Sequence, residues 1–222
     1  MTRTLKFGRK AAASGKARSL VIFLHGYGAN GADLLGLSDA MARHLPDTVF
    51  VAPDAPERLP QMAQAYQWFA IPRFDGASEA VAEAGLARST DDLNAFIDQR
   101  LAYEGVAPDQ LALVGFSQGA MMALQVAPRR AVAMRAVVAI SGRLIHPERL
   151  EAEAVVKPPV LILHGDRDEV VDFGEMALAG NALVAAGFDV YGHVMQGSGH
   201  GIAPDGLSVA MGFLRQQLGA GD

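Results

Sequence analysis

The sequence predicts an α/β fold: a mostly parallel central sheet with helices on both faces, formed by a single domain over residues 1–222. Apolar runs at 19–24, 48–52, 110–114, 136–140, 160–163 and 189–195 read as strands. The middle runs are apolar throughout, as in strands covered on both faces. Amphipathic segments lie between them. Regular alternation of strand and helix requires crossover connections, which lay helices against a parallel sheet.

Each helical segment carries its own signals. Residues 31–45 place Leu34, Leu37, Met41 and Leu45 on one face, with Asn30 as N-cap. Residues 92–101 gather Leu93, Phe96, Ile97 and Leu101, and 118–127 stop at Pro128. Residues 173–186 begin after Asp172, a suitable cap, and end at Gly187, a suitable left-handed terminator. Residues 204–218 repeat Leu207, Met211, Leu214 and Leu218. Residues 2–7 are expected to add an antiparallel edge strand. The stretch 53–78 breaks the pattern. It is long, irregular and rich in Pro and Gln, and an excursion of that kind in a compact domain is often functional.

Composition narrows the function classes. The chain is 50% hydrophobic and 19% charged, with a net charge of -5, which disfavours nucleic acid as a partner. The basic residues near the start (Arg3, Lys6, Arg9, Lys10, Lys16, Arg18) are not followed by the apolar stretch of about 7–15 residues that a signal peptide needs. No run approaches the roughly 20 apolar residues of a membrane span, so no stable membrane insertion is expected. With no cysteine there is no disulfide framework, thiolate nucleophile or Cys-ligated zinc. A cytoplasmic location is the expectation, and the sequence leaves room for a homodimer.

The chemistry-bearing residues fall at strand ends, where open parallel sheets place their ligands. Gly115-Phe116-Ser117-Gln118-Gly119 follows one strand and opens a helix. A serine on such a sharp turn has its hydroxyl raised above the sheet, so Ser117 is the candidate nucleophile. The bare pattern is weak, and the strand before it and helix after it carry the reading. A serine nucleophile needs an imidazole base, and the imidazole needs an acceptor on its other nitrogen. His200 lies in the glycine loop Gly197-Ser198-Gly199-His200-Gly201 before the last helix. Asp166 and Asp168, both just past the strand at 160–163, compete for the acceptor role, and Asp172 is better explained as a cap. The order Ser, Asp, His is that of α/β-hydrolases. Of the other histidines, His25 and His164 are expected to shape turns or the floor of a site, His193 to pack, and His44 and His146 to be peripheral. Acyl transfer also needs two N–H donors for the developing oxyanion. The backbone of Gln118 and of the turn at His25-Gly26-Tyr27-Gly28, most simply Tyr27, can supply them.

These segments together resemble one family. LHGYG at 24–28, VAPDAP at 51–56, QWF at 67–69, GFSQG at 115–119, HGDRDEVV at 164–171 and GHGI at 199–202 are similar to the small carboxylesterases grouped with acyl-protein thioesterases and lysophospholipases. The resemblance implies an α/β-hydrolase fold and an acid at Asp168. It implies oxyanion donors at Tyr27 and Gln118. It also implies a small-molecule ester or thioester substrate, and neither cofactor nor metal. Tyr27 stands where the family commonly has leucine, and Asp172 where it commonly has proline. Trp68, Phe69 and Phe74 are candidates for an apolar acyl groove. The excursion also holds Arg58, Gln61, Gln64, Gln67 and Arg73, a mixture that suits short to medium acyl esters. Acyl-protein thioesterase and lysophospholipase are the alternatives, and a catalytically silent binding module is the non-enzyme one.

Overall fold

Strands with no polar face need cover on both sides, and the structure supplies it. A computed structural model describes residues 2–60 and 62–219, so Gln61 lies outside the described residues. In chain order the strands are β1 (Phe7–Lys10), β2 (Ser19–Leu24), β3 (Thr48–Pro53), β4 (Glu57–Arg58), β5 (Tyr66–Gln67), β6 (Leu111–Phe116), β7 (Ala136–Ile140), β8 (Val160–Gly165) and β9 (Val190–Met195). The helices are α1 (Gly31–Leu35), α2 (Ser38–Met41), α3 (Pro72–Asp75), α4 (Glu79–Glu104), α5 (Gln118–Val126), α6 (Leu150–Glu153), α7 (Gly174–Ala185) and α8 (Pro204–Leu218). All strands but β4 and β5 form one sheet in the order β1-β3-β2-β6-β7-β8-β9. β1 runs antiparallel to β3, and every other pairing in this sheet is parallel.

The pleat sends alternate residues of β2 into two apolar layers. Leu20, Ile22 and Leu24 pack with Leu93, Phe96 and Ile97 of α4, Met122 of α5 and Leu183 of α7. Val21 and Phe23 enter the opposite layer with Leu34 of α1, Met41 of α2 and Phe213 and Leu214 of α8. Burying a side chain of this size contributes about 1.5–3 kcal/mol. A sheet held this firmly from both faces fixes its strand ends in space, and the candidate site stands on those ends.

Several elements differ from the sequence expectation. β6 extends through Phe116 and β8 through Gly165, because these residues still pair with Ile140 and Met195. The first strand lies at Phe7–Lys10 rather than 2–7. Residue 3 is occupied elsewhere: the Arg3 backbone N–H and its Nε donate to the Asp92 carboxylate at 2.6 and 2.7 Å. The single helix expected over 31–45 is broken after Leu35, where the Ser38 hydroxyl takes the Leu35 carbonyl at 2.5 Å and competes with the helical bond. Asn30 does cap α1, and the side chain of Asp33 reaches back to the Asn30 N–H to complete a capping box. The helix expected over 92–101 is the second half of α4. Its first half, rich in Ala and Glu with little apolar spacing, begins where the Ser78 hydroxyl accepts from the Val81 N–H. The excursion is more ordered than its composition suggests, holding the β4–β5 hairpin and α3.

Candidate active site

The turn after β6 is confined to one residue. β6 ends at Phe116, α5 starts at Gln118, and Ser117 between them has φ 54° and ψ -117°. A side-chain-bearing residue rarely holds that conformation, and here the Ser117 N–H donates to the Ile140 carbonyl at 2.8 Å to keep it. A Cβ on Gly119 would lie 1.9 Å from the Leu24 carbonyl oxygen, so only glycine lets α5 start this close to β2. The Ser117 hydroxyl is thereby raised at the carboxyl end of the sheet while the residue as a whole stays buried.

Asp168 and His200 arrive from β8 and β9, two and three places along the sheet from β6. The Asp168 turn follows β8, and the His200 loop follows β9. A Cβ on Gly165 would lie 2.4 Å from the Ser198 carbonyl, so this glycine lets the two segments touch. His200 Nε2 stands 2.9 Å from Ser117 Oγ, and Nδ1 stands 2.7 Å from Asp168 Oδ2. Burial pushes the Asp168 carboxyl up, but hydrogen bonds from His200 and from the N–H groups of Val171 and Val170 outweigh it. The group ends below the usual carboxylate range. An ionised carboxylate can only accept, so Nδ1 of His200 carries the proton. That leaves Nε2 free to accept from the Ser117 hydroxyl. Asp166 is engaged elsewhere, accepting from the Gly197 N–H at 2.6 Å.

The turn 25–28 stands beside the serine. The Ala55 N–H donates to His25 Nε2 at 2.9 Å, so His25 Nδ1 must carry the proton it shares with the Gly26 carbonyl at 2.7 Å. Burial depresses the basicity of His25, in keeping with this neutral tautomer. The imidazole thus fixes the turn that presents Tyr27. Among the described residues, the backbone N–H groups of Tyr27 and Gln118 are not taken by the hydrogen bonds of the surrounding turns. The buried Gln118 side chain has a separate task that the sequence did not suggest. Its Oε1 accepts from the Trp68 N–H at 2.8 Å and its Nε2 donates to the Phe69 carbonyl at 2.7 Å, tying the excursion to the Ser117 turn.

A cavity of about 440 Å³ opens from Ser117 and His200. Phe69, Phe74 and Tyr27 line it, with Ile71, Leu86 and Met121. Trp68 does not. It has 0% exposure, and its indole N–H donates to the His25 carbonyl at 3.0 Å, so the groove role expected of it is corrected to core packing. Polar side chains also reach the cavity, and the sequence did not place Glu79, Glu83, Arg143, His146 or Glu175 there. Glu83 of α4 accepts from His146 Nε2 at 2.8 Å, and both face the cavity, so His146 is not peripheral. The Glu83 carboxyl is held below its ordinary range, chiefly by that bond. His193 is a surface partner of Asp205 at 2.8 Å rather than a packed side chain. His164 is buried behind the Asp168 turn. Among the described residues no three His, Asp or Glu side chains converge as metal ligands do. No helix among them is long and apolar enough to cross a membrane.

With the sheet, the Ser117 turn and the imidazole in place, the molecule is an α/β-hydrolase in architecture. Residues 10–218 match the phospholipase/carboxylesterase family, and the chain belongs to it as a carboxylic ester hydrolase. Acyl-protein thioesterase 1 of Saccharomyces cerevisiae is 29% identical over 223 residues, covering 95% of this chain and 97% of the yeast protein. Esterase YpfH of Escherichia coli is 27% identical over 206 residues, covering 91% and 84%. The crystal structure of esterase PE8 superimposes with a TM-score of 0.91 at 42% identity, covering 97% of this chain and all of that one.

Proposed function

We propose that this chain is a serine carboxylesterase that hydrolyses short to medium acyl esters through an acyl-enzyme on Ser117. The observation that carries the reading is the continuous relay from Ser117 Oγ to His200 Nε2 at 2.9 Å and from His200 Nδ1 to Asp168 Oδ2 at 2.7 Å. In the first step Ser117 Oγ bonds to the ester carbonyl carbon while its proton passes to His200 Nε2. The carbonyl oxygen becomes an oxyanion facing the N–H groups of Tyr27 and Gln118, each such donor being worth about 3 kcal/mol. The bond to the leaving oxygen then breaks, and His200 returns the proton to that oxygen. Water repeats the sequence on the acyl-enzyme, releasing the acid and restoring the Ser117 hydroxyl.

The acyl-length reading rests on the cavity. Its volume of about 440 Å³ falls in the small-ligand range. Arg73, Glu79, Glu83, Arg143 and Glu175 line it beside the apolar residues, so a long alkyl chain would have to lie against charge. Each further buried CH₂ adds about 0.8 kcal/mol until the apolar part ends. Rates across p-nitrophenyl esters from acetate to palmitate are therefore expected to rise and then fall. A fluorophosphonate is expected to label Ser117, and Ser117→Ala to lose nearly all turnover. Labelling of a different serine, or an active Ser117→Ala, overturns the mechanism. A monotonic rise through palmitate, or faster cleavage of acyl thioesters or lysophospholipids, overturns the substrate class alone.

A further inference from the structure

We propose that His164 is a positioning residue for this reaction, clamping the turn that presents the Asp168 carboxylate to His200. The inference rests on the serine-esterase reading above. His164 lies in β8 just before Gly165, and its side chain is 0% exposed. Its Nε2 is 3.0 Å from the Val171 carbonyl oxygen. A carbonyl can only accept, so Nε2 carries the proton. The same N–H lies 3.4 Å from Asp168 Oδ2, the oxygen that faces His200. The Val171 N–H in turn donates to Asp168 Oδ1 at 2.9 Å, beside the Val170 N–H at 2.9 Å. One imidazole therefore reaches both the far end of the turn and the carboxylate at its near end.

The other nitrogen shows which atom of the ring is in use. His164 Nδ1 is buried and has no hydrogen-bond partner among the described residues. The Phe173 ring lies beside the imidazole, edge to face, with the centroids 6.0 Å apart. An orphaned ring nitrogen in the interior is a cost that an apolar side chain of the same size would avoid. The compensation lies in the Nε2–H contact. The base is fixed independently: the Arg167 N–H donates to the Ser198 carbonyl at 2.9 Å, and Asp166 accepts from the Gly197 N–H. Those bonds hold the His200 loop. Only His164 and His200 reach Oδ2 of the acid among the described residues. Without the clamp, the carboxylate keeps its Oδ1 anchors to the Val170 and Val171 N–H groups, but Oδ2 is left with His200 as its one partner among the described residues.

The test uses two amides that differ in reach. Gln at 164 can place an N–H near the position of Nε2, whereas Asn can place one only near Nδ1. Turnover of a short p-nitrophenyl ester is read per site titratable with a fluorophosphonate, so that a poorly folding variant still reports. His164→Asn is expected to lower kcat about tenfold with KM little changed, and His164→Gln to stay within about threefold of the parent. In an Asp168→Asn background, His164→Asn is expected to cost less than about twofold, because the group it positions is already lost. Equal turnover of the two amide variants overturns the proposal. So does a tenfold loss from His164→Asn that persists undiminished in the Asp168→Asn background, which would mark a role in the core rather than in the relay. An Asp168→Asn variant as active as the parent would instead overturn the serine relay itself, so the two readings fail separately.

Discussion

The carboxyl end of the sheet and the cavity wall that faces it are built over different distances in the chain. Ser117, Asp168 and His200 each sit within a few residues of a paired strand, and glycines whose Cβ positions are already occupied hold the turns beneath them. The wall is assembled from segments remote in sequence. Gln118 ties down Trp68 and Phe69, His146 meets Glu83, and Arg73 donates to the Val170 carbonyl at 3.1 Å across the rim. The first region is rigid because the sheet is; the second is only as rigid as its side-chain bonds. Rate should therefore depend on the strand ends, and substrate choice on the wall. Substitutions that separate rate from choice test that division.

The largest effect is expected at the acid. Asp168→Asn keeps the shape of the turn but removes the charge that holds His200 in its tautomer. In Ser-His-Asp triads, loss of the orienting carboxylate costs about 10⁴ in kcat, and the proposed mechanism expects a loss of that order here. Asp166→Asn loses the charge but keeps an amide oxygen that can accept from the Gly197 N–H, and it is expected to retain turnover within about tenfold. Steady-state rates with circular dichroism on both variants make the comparison. If Asp166→Asn proves the inactive one, the relay has been assigned to the wrong carboxylate.

The next effect concerns the framework alone. In Gly119→Ala the new Cβ would overlap the Leu24 carbonyl, a backbone atom of a fully buried strand that cannot give way. The variant is expected to lose more than about 3 kcal/mol of stability in urea unfolding, well beyond the usual surface substitution. A stability within 1 kcal/mol of the parent would mean that the start of α5 is free to move. This position also shows why the strand ends were legible in the sequence. Gly115, Ser117 and Gly119 are spaced by a local steric requirement, which the chain states within five letters. The same holds for the capping box at Asn30 and for Gly187 with φ +82° after α7. The cavity wall has no such local signature. Nothing near His146 announces that Glu83 will meet it, and nothing in the QWF segment says which aromatic ring turns inward. The first half of α4 was hidden for a related reason. A helix with one face on a cavity and another in solvent lacks the apolar period that marks a helix on a core.

The smallest effect separates two aromatic residues that the sequence grouped together. Trp68 has no exposure and its indole N–H is bonded to the His25 carbonyl, whereas Phe74 is 47% exposed at the cavity rim, 5.5 Å from the Tyr27 ring. Trp68→Phe leaves a buried carbonyl without its donor, which should cost about 1–3 kcal/mol of stability. Because Trp68 does not line the cavity, the acyl length giving the highest kcat/KM should not move. Phe74→Ala removes a ring that is already half in water, so stability should stay within about 0.5 kcal/mol. What it removes from the site is one apolar wall of the rim, along with the ring under the Arg73 guanidinium, which lies 5.0 Å from its centroid. For the ester length preferred by the parent, kcat/KM should fall about threefold, the equivalent of somewhat less than one buried CH₂. Acetate, which does not reach the rim, should be hydrolysed as before. The informative quantity is the ratio of the two esters in each variant, since a general loss of active enzyme cancels in it. A changed ratio in Trp68→Phe with an unchanged one in Phe74→Ala would reverse the assignment and place the acyl groove on the other side of the excursion.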